Sequence, residues 1–318
     1  MSEAGDWLLG KLRERRPEEK CFKRNSSPSP SRCLTHPFDS LDSMRCIFCR
    51  SDSSTSRSVE HIVPESLWNT TNVLPPGVVC DACNNYFARE VEKPFLEAPG
   101  IAQLRFIEAI PSKRGRIPAS NGILLPGFPV KAYRESKGEY STHIEVPEKA
   151  IEHLLSQARG TLIFPAEAPL PSERVVGRFL AKMAVEALAQ RLIDHPGGVD
   201  YVAEECQFDE IRNYARRGQP ASWPYHCRRI YPANRAISDE AGGPYQTVHE
   251  FDFLVTSGSE WYFVFALFGL ELTINIGGPE IDGYLAWLGE NGDASPLCFG
   301  KNASQEIPNM LPDRPTEK

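Results

Sequence analysis

Two Cys-x2-Cys pairs, Cys46-Ile-Phe-Cys49 and Cys80-Asp-Ala-Cys83, constrain this chain more than any other feature. Together they offer the four thiolates of a closed tetrahedral zinc site, which leaves no position for a substrate. The remaining cysteines, Cys21, Cys33, Cys206, Cys227 and Cys298, are scattered and form no comparable set. A segment of roughly 50 residues has too little core to fold by itself, so Zn²⁺ is expected to hold up a module over residues 44–96 as a structural ion. Reduced cysteines and no export signal in residues 1–16 lead to the expectation of a cytoplasmic protein. No apolar run reaches the ~18 residues of a membrane span.

Around the module the chain changes character. Residues 1–43 join a short amphipathic stretch (Trp7, Leu8, Leu9, Leu12 among basic residues) to a Ser/Pro-rich linker that cannot bury enough apolar surface to fold alone. Residues 97–318 are expected to form a second domain of unknown task. Its strongest element is a helix from 172 to about 193, where Val175, Val176, Phe179, Leu180, Met183, Ala184, Ala187 and Leu188 make a wide apolar stripe ahead of His195-Pro196-Gly197. Shorter helices are expected over 147–158 and 208–217, short strands over 104–134, and an antiparallel meander through 251–255, 261–268 and 270–276. The fold class is therefore α+β. With 27 prolines and 23 glycines, long coiled coils and helical repeats are excluded.

Chemistry concentrates between the cysteine pairs. Val59-Glu60-His61-Ile62-Val63-Pro64 precedes Asn72, and Asn84-Asn85 follows the second pair. The order reads as strand, strand, helix, and in a strand Glu60 and His61 point to opposite faces. Glu60 and Asn84 would together hold a hard divalent ion with water left on it, while His61, with an ordinary pKa of about 6.5, would take a proton from water. That set suits metal-assisted phosphodiester hydrolysis. Asn72 is expected to fix His61 by a hydrogen bond to its ring or backbone. The net charge is −7, but the first 120 residues are close to neutral and alone look tolerant of a polyanion. Among them Arg45, Arg50, Arg57, Arg89, Lys93, Arg105, Lys113, Arg114 and Arg116 are expected to supply a track for a nucleic-acid backbone.

Cys46-x2-Cys49, Glu60-His61-Ile62-Val63-Pro64, Asn72 and Cys80-x2-Cys83-Asn84 resemble the HNH endonuclease family with its ββα-metal fold. The resemblance covers about 44–96. It implies His61 as the base that activates water, Glu60 and Asn84 as ligands of a catalytic Mg²⁺ or Mn²⁺ ion, Asn72 as the positioning asparagine and the four cysteines as zinc ligands. It further implies DNA as the substrate, with selectivity drawn from residues 97–318 or from a protein partner, and a setting such as prokaryotic genome defence.

The competing reading is a non-catalytic, zinc-stabilised nucleic-acid-binding or adaptor protein in which Glu60 and His61 merely fill a hairpin. Nucleobase deaminase spacing (His-x-Glu before Pro-Cys-x2-Cys) and a His-Glu-x2-His protease helix are both absent. Arg212, Arg216, Arg217, Arg228 and Arg229 read as a solvated face, and the aromatic run 261–268 as core.

Overall fold

The computed structural model describes residues 44–135, 142–157, 159–238, 244–297 and 304–306. The amphipathic stretch, the Ser/Pro linker, Cys21, Cys33 and Cys298 lie outside them. The first named strand of the described residues, β1 (Glu60–His61), pairs antiparallel with β2 (Val73–Leu74), Glu60 opposite Leu74 and His61 opposite Val73. Helix α1 (Asp81–Phe87) follows and runs without a break through a π turn (Ala88–Glu92) into α2 (Lys93–Leu96). Helix α3 (Pro99–Ile107) occupies the start of the region expected to be strands; Pro99 at its first position suits a helix start.

A small antiparallel sheet comes next, built from β3 (Ser120–Leu124), β4 (Phe128–Arg134), β5 (Thr142–Glu145) and β6 (Leu162–Ile163) in the order β5-β4-β3-β6. Helix α4 (Glu148–Leu155) covers one face of it through Ala150 and Leu154. The long helix α5 (Glu173–Leu192) lies within its expected bounds, with Ser172 at the N-cap position although its hydroxyl makes no capping bond. Helices α6 (Gly198–Glu204) and α7 (Asp209–Arg217) pack beside it, α7 ending at Gly218 in the left-handed conformation that glycine adopts without strain.

The larger sheet contains β7 (Tyr225–Arg229), β8 (Ile237–Ser238), β9 (Pro244–Val255), β10 (Trp261–Leu267), β11 (Leu270–Asn275) and β12 (Ser304–Glu306), in the order β12-β9-β10-β11-β7 with β8 against β9. Its centre is the expected meander. Every residue of β10 is buried, because helix α5 covers one face and α8 (Asp282–Glu290) the other, so the apolar run need not alternate. Phe263 and Phe265 face the main core, whereas Tyr262, Val264 and Ala266 meet Tyr284 and Leu288.

One apolar core joins the cysteine-bounded segment to the rest. Ile62, Val63, Phe87, Val91 and Phe95 belong to the same cluster as Phe179, Met183 and Phe265, and the Phe95 and Phe179 rings stack at 3.9 Å. No helix among the described residues is long and apolar enough to cross a membrane.

Candidate functional site

The four paired cysteines converge. Their sulfurs all lie within 4.8 Å of one another, and Cys49 Sγ and Cys80 Sγ are 3.6 Å apart. Four Zn–S bonds of about 2.3 Å in a tetrahedron require sulfurs roughly 3.8 Å apart, so the residues present fit the ion. Cys80 also caps α1, its sulfur accepting from the Cys83 amide at 3.4 Å. As bare thiols Cys46, Cys80 and Cys83 are pushed in opposite directions. The hydrogen bond from Cys83 holds Cys46 down to about 4, the same bond pushes Cys83 far up, and burial raises Cys80 to about 11. A dication in their midst would favour the thiolate at every position.

The helix start and the hairpin are tied together. Asp81 Oδ1 accepts from the Arg57 and Ser58 amides at 3.1 and 2.9 Å, and Asn84 Nδ2 donates to the Val59 carbonyl at 3.2 Å. Asn84 thus stands against β1, one residue from Glu60, with no hydrogen bond to its Oδ1 found among the described residues. Asn85 is exposed. As the alternation of a strand requires, Glu60 turns inward and is 4% exposed, while His61 is half-buried near the surface. His61 Nδ1 is buried without a hydrogen-bond partner among the described residues. Burial lowers the His61 pKa; Glu65 opposes that shift and Lys113, paired to Glu65 at 3.1 Å, adds to it.

Asn72 acts through its backbone: its carbonyl accepts from Ile62 N at 3.1 Å. The side chain that locks this loop is Asn69, a residue the sequence reading passed over. Asn69 Nδ2 donates to the carbonyls of Val63 (2.6 Å) and Asn72 (2.8 Å), and its Oδ1 accepts from the amides of Thr71 and Asn72. An asparagine bonding to backbone two and three residues on is a turn-forming pattern, which was the available signal. Asn69→Ala is expected to cost about 3 kcal/mol, since it orphans buried backbone groups. A lower denaturation midpoint at an unchanged slope would show it.

A second group of residues was also missed. Lys182, in the middle of α5 and fully buried, puts its ammonium 2.7 Å from Glu60 Oε1, 2.6 Å from Glu92 Oε1 and 3.0 Å from Glu186 Oε2, and donates to the His61 carbonyl at 2.9 Å. Burial alone would lower the Lys182 pKa, but Glu186, Glu60 and Glu92 outweigh it and hold it well above the usual lysine range. Burial drives Glu186 well above the carboxylate range and raises Glu60, with Lys182 opposing both shifts. Burial thus works against the charged form of Glu186, the most enclosed carboxyl of the cage, while the ammonium beside it works for that form. Glu60 Oε2 is buried with no hydrogen-bond partner among the described residues.

Several arginines turn inward, contrary to expectation. Arg105 is buried and so does not belong to an open cationic track, while Arg50 stays partly exposed but is engaged within the protein, donating to the Ala203 carbonyl at 2.7 Å and pairing with Asp209. Arg212 is likewise buried against the Val202, Ala203 and Glu205 carbonyls, and Arg228 pairs with Glu271, which corrects the solvated-face reading for both.

No curated protein and no solved structure matches the chain. Residues 46–99, which hold the four clustered cysteines, Glu60, His61, Asn72 and Asn84, match the family model described as HNH endonuclease, and the likeness to that family lies in this segment rather than along the whole chain.

Proposed function

We propose that the chain is a metal-dependent endonuclease that hydrolyses DNA phosphodiester bonds, with His61 as the general base and prokaryotic genome defence as its setting. The observation that carries this reading is the local geometry around β1, where a half-buried imidazole, its buried Nδ1 without a hydrogen-bond partner among the described residues, shares two residues of strand with a carboxylate whose buried Oε2 likewise has none among them. Glu60 Oε2 and Asn84 Oδ1 are the oxygens that would hold a Mg²⁺ or Mn²⁺ ion, which is the donor chemistry such hard ions take. Bound there, the ion would stabilise negative charge on the phosphate and the leaving oxygen. His61 would take the proton of the attacking water, and a neutral imidazole is favoured by its lowered pKa. Lys113, beyond α3, is held on the His61 side by its pair with Glu65 and, with the neighbouring Arg114 and Arg116, would attract the backbone.

The test is conversion of supercoiled plasmid by the zinc-loaded full chain with Mg²⁺ or Mn²⁺, against an EDTA blank and a single-stranded RNA arm. Nicked and linear DNA are expected, with binding that weakens steeply as salt rises. No conversion above the blank would remove the assignment. A second reading, a zinc-stabilised binding or adaptor module without catalysis, is favoured by one observation: Glu60 Oε1 is already held by an internal cation. Binding of DNA without cleavage would select it.

A further inference from the structure

The Lys182 cage is hard to account for as a stabilising device. Taking an ammonium and several carboxyl groups out of water costs more than their attraction returns in many proteins, and well-packed apolar side chains of similar volume commonly do as well. Lys182 and Glu186 nevertheless stand at the centre of a helix whose neighbours Phe179, Leu180, Met183 and Ala184 are all buried. What distinguishes the cage is what it touches. The ammonium reaches the side chain of Glu60 and the backbone carbonyl of His61, which are the two adjacent residues of the nuclease reading, and it reaches them from outside the segment that carries the family likeness.

β1 needs such a hold. It is two residues long and, among the described residues, paired only to the two-residue β2, too short for its own ladder to fix the direction of its side chains. A buried cation joined to both the carboxylate and the carbonyl restrains that strand about its axis. It also sets which Glu60 oxygen is spent inside the protein and which is left over.

We propose that Lys182 is a positioning residue of the nuclease centre, holding Glu60 and His61 in register from helix α5, so that the site is complete only when residues beyond 99 are packed on it. This inference rests on the nuclease reading. Glu92 and Glu186 complete the cage and keep the ammonium in place.

The experiment uses the full, zinc-loaded chain. Lys182→Met is expected to lower kcat for plasmid nicking about 100-fold while KM stays within about twofold, as misplacement of a reacting group requires. It should also shift the imidazole resonances of His61 in ring-selective ¹H–¹⁵N spectra. Loss of the ammonium lowers Tm as well, so Leu288→Ala, in the separate cluster beyond the large sheet, serves as a destabilised control that should keep wild-type kcat and His61 resonances. If Lys182→Met does not fold, Lys182→Gln takes its place with the same expectations. Unmoved His61 resonances in a folded Lys182 variant overturn the proposal, as do equal losses in Leu288→Ala at the same fall in Tm, or failure of both Lys182 variants to fold. If the wild-type chain cleaves nothing, the nuclease reading falls separately, and the His61 resonances alone decide whether Lys182 sets that side chain.

Discussion

His61→Ala is expected to slow plasmid cleavage about 1,000-fold, within the range that removal of a general base covers. Zinc content and melting temperature should stay near wild type, because the packing beside His61 is done by Ile62 and Val63, which are fully buried, while the imidazole itself is near the surface. The pH profile carries a sign. Only the neutral imidazole accepts a proton, and burial moves its pKa below 6.5. Cleavage should therefore rise as pH climbs through a midpoint under 6.5 and then level off, and it should fall as pH drops through that midpoint. An alanine variant that cleaves at the wild-type rate would show that His61 is not the base.

Cys80→Ser should have the opposite character, costing the fold before the chemistry. Cys80 contributes a sulfur to the cluster and caps α1, and it belongs with Cys46, Ile47, Val79, Cys83 and Phe87 to the shared core. Structural zinc sites in small modules return folding free energy on the order of 10 kcal/mol, so losing one ligand is expected to lower Tm by about 10 °C or more. Metal analysis should find close to one zinc per wild-type chain and much less in the variant. A Cys80→Ser protein that melts like the wild type would mean that the four sulfurs do not hold a structural ion. Together the two variants separate a residue that acts on substrate from one that holds the scaffold.

What could be read from residues alone follows how local each signal is. The bounds of α5 were visible because Ser172, an apolar stripe and Pro196 act within a few turns of helix, and the meander was visible because Gly258 and Gly269 punctuate three apolar runs. The cysteine quartet was visible because metal ligands come in close pairs. Lys182 was not, although Val175, Phe179, Lys182 and Glu186 follow the four- and three-residue steps of one buried face. Its partners Glu60 and Glu92 lie some ninety residues or more away in the chain, and only packing brings them there. Distance in the chain likewise hid the bond from Arg50 to the Ala203 carbonyl, whereas the acceptors of Arg212 are near in sequence and were hidden because they are mostly backbone carbonyls, which any sequence possesses. Helix α3 was missed because the glycine after Pro99 weakens a helical reading that tertiary contacts restore: Gly100 N donates to the Pro169 carbonyl at 2.8 Å, and a side chain at that position would strike the same backbone.

The continuous interior has one more consequence. Phe87, Val91 and Phe95 close against α5 instead of solvent. Excising residues 44–99 would leave an oily flank on the fragment and strand Glu60 beside a vanished counter-ion. This stretch is consequently a poor cassette for transplantation into other scaffolds, whatever metal it is given.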